Sequence, residues 1–123
     1  MSVLVDTSVW IGHFRQRDEV LVDLLLRDDA LSHPMVLGGL ACGTPPSPRE
    51  RTLSDSERLR SATTATWSEI RTLIEGERLY GLGCGVVDIA LLASTLLTPA
   101  ALLWTNDRRL DELAARFEVA FRS

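Results

Sequence analysis

Three short stretches, VLVDTSVWI (residues 3 to 11), GVVDIALLAS (85 to 94) and LLWTNDRRL (102 to 110), each hold one aspartate where an apolar run meets a polar turn or helix start. A carboxylate flanked by buried residues costs free energy unless a cation or hydrogen-bond donors compensate it. The chain has no lysine, so compensation for Asp6, Asp88 and Asp107 must come from arginine, backbone dipoles or a bound metal. Mg²⁺ and Mn²⁺ take oxygen ligands and keep several waters, and convergent carboxylates from distant parts of a chain suit them. One such aspartate alone would read as a helix N-cap or a surface acid. Three in matching contexts point instead to a metal centre.

The pattern between these stretches alternates short apolar strands with amphipathic helices. Residues 2 to 6 read as a buried strand, with Thr7 or Ser8 capping a helix that runs to about Phe14. A second helix fits Asp18 to Arg27, with Val20, Leu21, Leu24 and Leu25 on one face. Residues 30 to 33 form a short strand, Pro34 opens a helix ending at Cys42 and Gly43, and TPPSP (44 to 48) is a loop. Helices follow at Arg49 to Arg60 and Ser68 to Tyr80, the latter burying Leu73, Ile74 and Leu79. GLGCG (81 to 85) lacks GK[ST] or a full GxGxxG and reads as a chain reversal without a nucleotide. A buried helix from Val86 to Leu97, a strand from Ala101 to Thr105, a helix from Asp107 to Arg116 and a strand from Glu118 to Phe121 complete the chain. Such alternation implies a parallel sheet with helices on both faces, and in open sheets of that kind ligands bind at the strands' carboxyl ends, where Asp6 falls.

The chain's 123 residues suffice for one domain and one core. Residues 86 to 104 are apolar enough to suggest a membrane span, but Asp88 and Pro99 split the run into helix, break and strand. A net charge of −4 argues against a broad basic face that coats nucleic acid, although 13 arginines can concentrate locally. Arg49, Arg51, Arg58 and Arg60 do so. With Asp55 and Glu57 interleaved, they read equally as a solvated helix face and as a nucleic-acid contact. Cys42 and Cys84 lack zinc-site spacing and read as small buried residues; His13 and His33 read as core or surface residues. Trp10, Trp67 and Trp104 read as packing residues. The chain starts directly on a strand-like run with no basic-then-apolar leader, which together with thiol usage gives a cytoplasmic expectation.

Two other strand-end aspartate chemistries fail on particular residues. A phosphoryl-accepting receiver domain needs a lysine near the phosphate, and a haloacid-dehalogenase-like hydrolase needs a second aspartate at the position of Ser8.

VLVDTSVWI, HPMVLGGLACG, LYGLGCGVVDIALLAS and LLWTNDRRL together resemble the PIN-domain ribonucleases called VapC toxins, and the likeness spans nearly the whole chain. It implies a single PIN-like α/β domain over residues 1–123, a three-layer α/β/α sandwich with a small, mainly parallel sheet. It also implies a nuclease that hydrolyses transfer RNA or another structured RNA with Mg²⁺ or Mn²⁺ held by four acids. Asp6, Asp88 and Asp107 match the first, third and fourth acids, as catalytic residues and metal ligands; Thr7, Ser8 and Thr105 fall on supporting polar positions. The second acid is a glutamate in a GEL tripeptide, and here the tripeptide is Gly38-Gly39-Leu40. Gly39 thus implies an impaired or inactive nuclease, whether the glycine was introduced or arose by natural degeneration. Gly39→Glu is expected to improve helix propensity by about 1 kcal/mol as well as complete the cluster. The resemblance further implies a VapB-type antitoxin, an RNA substrate, a homodimer and no membrane association. The alternative is a noncatalytic pseudonuclease that acts by binding RNA or antitoxin.

Overall fold

The computed structural model describes residues 1–123. Its centre is a three-stranded parallel sheet in the order β2-β1-β3, formed by β1 (Ser2–Val5), β2 (Ala30–Leu31) and β3 (Ala101–Trp104). β1 is fully buried at Val3, Leu4 and Val5 because both of its edges are paired and both of its faces are covered. Around it lie α1 (Thr7–Arg15), α2 (Glu19–Leu26), α3 (Pro34–Cys42), α4 (Arg49–Glu57), α5 (Trp67–Glu77), α6 (Val86–Leu97) and α7 (Arg108–Arg116). This is the three-layer α/β/α arrangement expected from the alternation of elements.

The register does most to place function. Val5 pairs with Trp104, so Asp6 and Thr105, each one residue beyond its strand, emerge side by side at the same sheet edge. α6 is buried on every side from Ile89 to Thr95, as a helix apolar all round must be. It joins the core under the sheet, through Leu91, to a second cluster formed with Ile70, Leu79 and Leu113. Leu97 ends α6 before Pro99, and no helix is long and apolar enough to cross a membrane.

Several boundaries differ from the sequence expectation, each for a local reason. Asp6, rather than Thr7 or Ser8, caps α1, and Asp18 caps α2 by accepting from the Val20 and Leu21 amides. On α2, Leu21 and Leu24 are buried while Val20 faces solvent. β2 stops at Leu31 because Ser32 pairs with Ser61 and His33 caps α3. α5 starts at Trp67, set by a capping box in which Thr66 and Glu69 exchange hydrogen bonds of 2.9 and 3.1 Å. The expected final strand reduces to one bridge, Leu103 to Ala120, because Glu118 adopts φ 60° and interrupts the extended chain.

Cys42 is exposed and Cys84 half-buried, which corrects the reading of both as buried. Cys42 occupies the last turn of α3, away from the core, whereas Cys84, in a turn beside Gly83, packs against the edge of the second core cluster and is only partly covered. Trp10 and Trp104 pack inside as expected, whereas Trp67 is 62% exposed because it opens α5 on its outer side. In the arginine-rich stretch, Arg49 donates to the Ala41 and Gly43 carbonyls at the end of α3, and Arg60 pairs with Asp28. Two of those four arginines therefore hold loops.

His33 ties the layers together. Its Nδ1 accepts from the Met35 amide at 3.0 Å, which places the ring proton on Nε2, 2.9 Å from Ser94 Oγ; that oxygen also accepts from the Ala65 amide at 3.0 Å. Burial lowers the His33 pKa from its ordinary value of 6.5. The unfolded chain therefore takes up the proton first, and stability is lost as pH falls below that ordinary value. Thermal melts at about pH 7.5 and about pH 5.5, on either side of that value, are expected to show a smaller drop for His33→Asn, which keeps a capping oxygen, than for the unsubstituted chain. An equal drop in both would refute this role.

Candidate active site

The site is built outward from Asp6. Its Oδ1 accepts from the Thr7 amide at 2.8 Å, and its Oδ2 accepts from Ser8 Oγ and Thr105 Oγ1, both at 2.7 Å. Three donors on one carboxylate fix its orientation. Thr105 Oγ1 in turn accepts from the Asp107 amide at 3.0 Å, which links the first acid to the last. Of the supporting residues read from sequence, Ser8 and Thr105 thus act through their hydroxyls, while Thr7 contributes its backbone N–H.

Asn106 belongs to this network and was not anticipated. Its amide donates to Ser8 Oγ at 3.0 Å, and its side chain reaches the Ser8 carbonyl at 3.5 Å. The only signal for it was its place between Thr105 and Asp107.

Asp107 caps α7, with Oδ1 accepting from the Leu110 amide at 2.9 Å. Asp88 lies in the first turn of α6 and accepts from the Gly85 amide at 3.4 Å. Asp6 and Asp88 are half-buried and Asp107 is exposed. The sequence suggested three buried acids; the capping geometry instead leaves the last one open to water. Burial pushes the Asp88 pKa up, against the Gly85 hydrogen bond, and the charges of Asp107 and Asp6 push it further. Asp88 therefore feels both of the other carboxylates. None forms an ion pair with an arginine or histidine of the chain.

This donor set is all oxygen, mutually repulsive and without a neutralising side chain, which fits a hard divalent cation in character. The geometry is looser than a closed protein cage: no group of three Asp, Glu, His or Cys side chains is placed to hold an ion by itself. An ion of the Mg²⁺ kind, which keeps several waters, suits such an open set.

Gly39 faces this site from α3. A Cβ built on it would lie 2.7 Å from Thr7 Oγ1, 3.1 Å from Thr7 Cγ2 and 3.4 Å from Thr7 Cβ, whereas Gly38 faces open space. Threonine carries two heavy atoms on three staggered positions, and two of those positions crowd residue 39. Every Thr7 rotamer therefore leaves at least one of them filled. The expected gain from Gly39→Glu in helix propensity is offset by this contact, which sequence spacing could not reveal. Beside Gly39, residues Ile11, Phe14, Arg15 and Leu40 line a cavity of about 460 Å³ that extends to residues 43–46.

The GLGCG segment reverses the chain with Gly81 and Gly83 at φ 71° and 83°. The Cys84 thiol beside them has its pKa raised by burial and by the charges of Asp88 and Asp107, with Arg109 opposing.

Residues 3–116 match the family model of the PIN domain. The chain is 42% identical over 118 residues to Ribonuclease VapC32 of Mycobacterium tuberculosis, in both the CDC 1551 / Oshkosh and the H37Rv strains, covering 96% of this chain and 94% of that protein. Its structure is similar to VapBC-1 from nontypeable Haemophilus influenzae, with a TM-score of 0.68, 11% identity, and coverage of 100% of this chain and 98% of the other. The strand-end acids, the α/β/α layers and these relationships agree: the chain belongs to the PIN-domain family, as a member of its VapC type.

Proposed function

We propose that the chain is a metal-dependent endoribonuclease toxin of a VapBC-type module, weakened or silenced by glycine at position 39. The observation that carries this is the Asp6 carboxylate, held by three donors beside two further acids that no cation of the chain neutralises. Its relative carries the name ribonuclease. Asp6, Asp88 and Asp107 would hold Mg²⁺ or Mn²⁺, directly or through water. A divalent ion bound there would supply a nucleophilic water near neutral pH and would offset charge developing on the phosphate.

The chain's own residues do the positioning. Ser8, Thr105 and the Thr7 amide keep Asp6 from rotating away, and Thr105 transmits that constraint to Asp107. No serine, cysteine or histidine is needed as a covalent nucleophile. A glutamate at position 39 would add a fourth carboxylate opposite Thr7, and glycine removes its charge and its oxygens.

A second reading is favoured by the contact at Thr7, because α3 has settled onto α1 around a glycine. A domain whose remaining role is to bind RNA or an antitoxin tolerates that packing. On either reading the partner is a VapB-type antitoxin, consistent with the similarity to a VapBC protein, and the cell compartment is the cytoplasm. The family also implies a homodimer, for which the exposed Trp67, Leu96 and Leu97 offer apolar surface.

Three measurements test these statements. With Mg²⁺ or Mn²⁺ and a total transfer RNA pool, Gly39→Glu is expected to cleave at least about tenfold faster than the unsubstituted chain, a gain of about 1.4 kcal/mol in transition-state stabilisation, and chelator should stop both. Pairing it with Thr7→Ser, which has one rotamer clear of residue 39, should raise the melting temperature relative to Gly39→Glu alone. Absence of cleavage by both glutamate variants would favour the noncatalytic reading.

Calorimetric titration should show weaker Mn²⁺ binding in the unsubstituted chain than in Gly39→Glu; equal affinity would remove position 39 from the metal site. The raised Asp88 pKa gives the third test. Its folded value lies above the ordinary 3.8, so the folded state loses stability as pH rises through it, and at neutral pH the charge is a cost. Asp88→Asn is therefore expected to raise the melting temperature near neutral pH while weakening Mn²⁺ binding. A lower melting temperature would show that the carboxylate serves the fold instead.

A further inference from the structure

On the α6 and α7 side of the acid cluster the fold seats a cation with no carboxylate partner. Arg108 pairs with Glu112 at 3.0 Å and Arg116 with Glu77 at 3.7 Å, but Arg109 pairs with no acid, although Asp107 is two residues away. Its Nη1 lies 3.5 Å from the Gly83 carbonyl. The guanidinium rests against the Gly83 backbone so closely that a Cβ there would stand 2.5 Å from Nη1, 2.9 Å from Cζ and 3.1 Å from Cδ. Gly83 also adopts φ 83°, a conformation that side chains disfavour. The φ accounts for glycine at position 83, and the absence of a side chain there also leaves the room in which the end of Arg109 sits.

That seat adjoins the site. Arg109 lines a cleft of about 240 Å³ with Leu82, Cys84, Glu112, Leu113 and Arg116, and Cys84 precedes Gly85, whose amide donates to Asp88. The position is unfavourable for the helix itself. Arg109 falls in the first turn of α7, whose positive end opposes a cation, and Glu112, one turn on and lining the same cleft, is paired with Arg108 instead. A chain of net charge −4 with a cluster of carboxylates also repels a polyanion where it must bind one. A guanidinium, planar and permanently charged, can hold a phosphate through two parallel hydrogen bonds.

We propose that Arg109 is a substrate-binding residue, whose guanidinium, seated on Gly83, holds a non-scissile phosphodiester of single-stranded RNA alongside the acid cluster. This rests on the ribonuclease reading. It assigns Gly83 a purpose beyond turning the chain, and it makes the cleft between the 81–85 turn and α7 one wall of the RNA path.

The test is fluorescence anisotropy of a labelled single-stranded oligoribonucleotide in chelator, across a salt series. It compares the unsubstituted chain with Arg109→Gln, Arg109→Lys and, as a charge-matched control at an exposed arginine paired with Glu19, Arg17→Gln. Arg109→Gln should weaken binding several-fold and reduce the slope of log affinity against log salt by about 0.7, the loss of one phosphate contact on a single strand. Arg109→Lys should keep the slope with lower affinity, Arg17→Gln should leave the slope unchanged, and all should melt alike. Equal slopes for Arg109→Gln and the unsubstituted chain overturn the assignment and leave the ribonuclease reading standing. Intact RNA binding with lost co-purification of the antitoxin overturns it in favour of a protein contact. Failure of the unsubstituted chain to bind RNA at all overturns the reading on which it rests.

Discussion

The hydrogen bond from Thr105 Oγ1 to Asp6 Oδ2, 2.7 Å across 99 residues of sequence, depends on a register that the rest of the molecule exists to maintain. Slipping β3 by one residue against β1 would turn its side chains to the opposite faces and separate the two strand ends. The buried stretch from Val3 to Val5 and the enclosed α6 make that slip costly, because each would expose a continuous apolar surface. Packing far from the acids thereby sets the position of the first of them. The hydroxyl then passes the constraint on to the Asp107 amide.

What the register assembles is electrostatically uncomfortable. Asp88 is held partly out of water, near two like charges, and nothing in the chain neutralises them. Active sites commonly carry such local costs, and the fold offsets them elsewhere. Here the offset comes from elements with no chemistry of their own: the His33–Ser94–Ala65 linkage between α3, α6 and the 62–65 segment, and the double cap at Thr66 and Glu69. The unpaired Arg109 is the counterpart of this imbalance, a positive charge placed near the acids without being spent on them.

The sheet, its parallel sense and the strand-end acids were legible because apolar runs, capping residues and proline breaks are local signals. Asp6, Asp88 and Asp107 were marked as candidates for the same reason, each standing at a change from one period to another. Asn106 could not, since its role depends on Ser8 arriving from the far end of the chain. The contact between Gly39 and Thr7 was equally hidden: a glycine in a helix reads as a loss of propensity, and only the approach of α1 to α3 shows that the space is taken. The degree of burial of Asp107 was misjudged because a flanking apolar run says where a backbone is buried, not where a capping side chain points. Trp67 misled similarly, its size suggesting a core residue and its place on the outer side of α5 deciding otherwise.

Thr7 touches the site at two ends. Its amide steadies Asp6 Oδ1, and its side chain stands where any Cβ at position 39 would sit. A side chain at 39 is therefore a neighbour of Thr7 before it is anything else. Even an alanine there, which brings no oxygen and no charge, would press on the residue whose amide steadies Asp6.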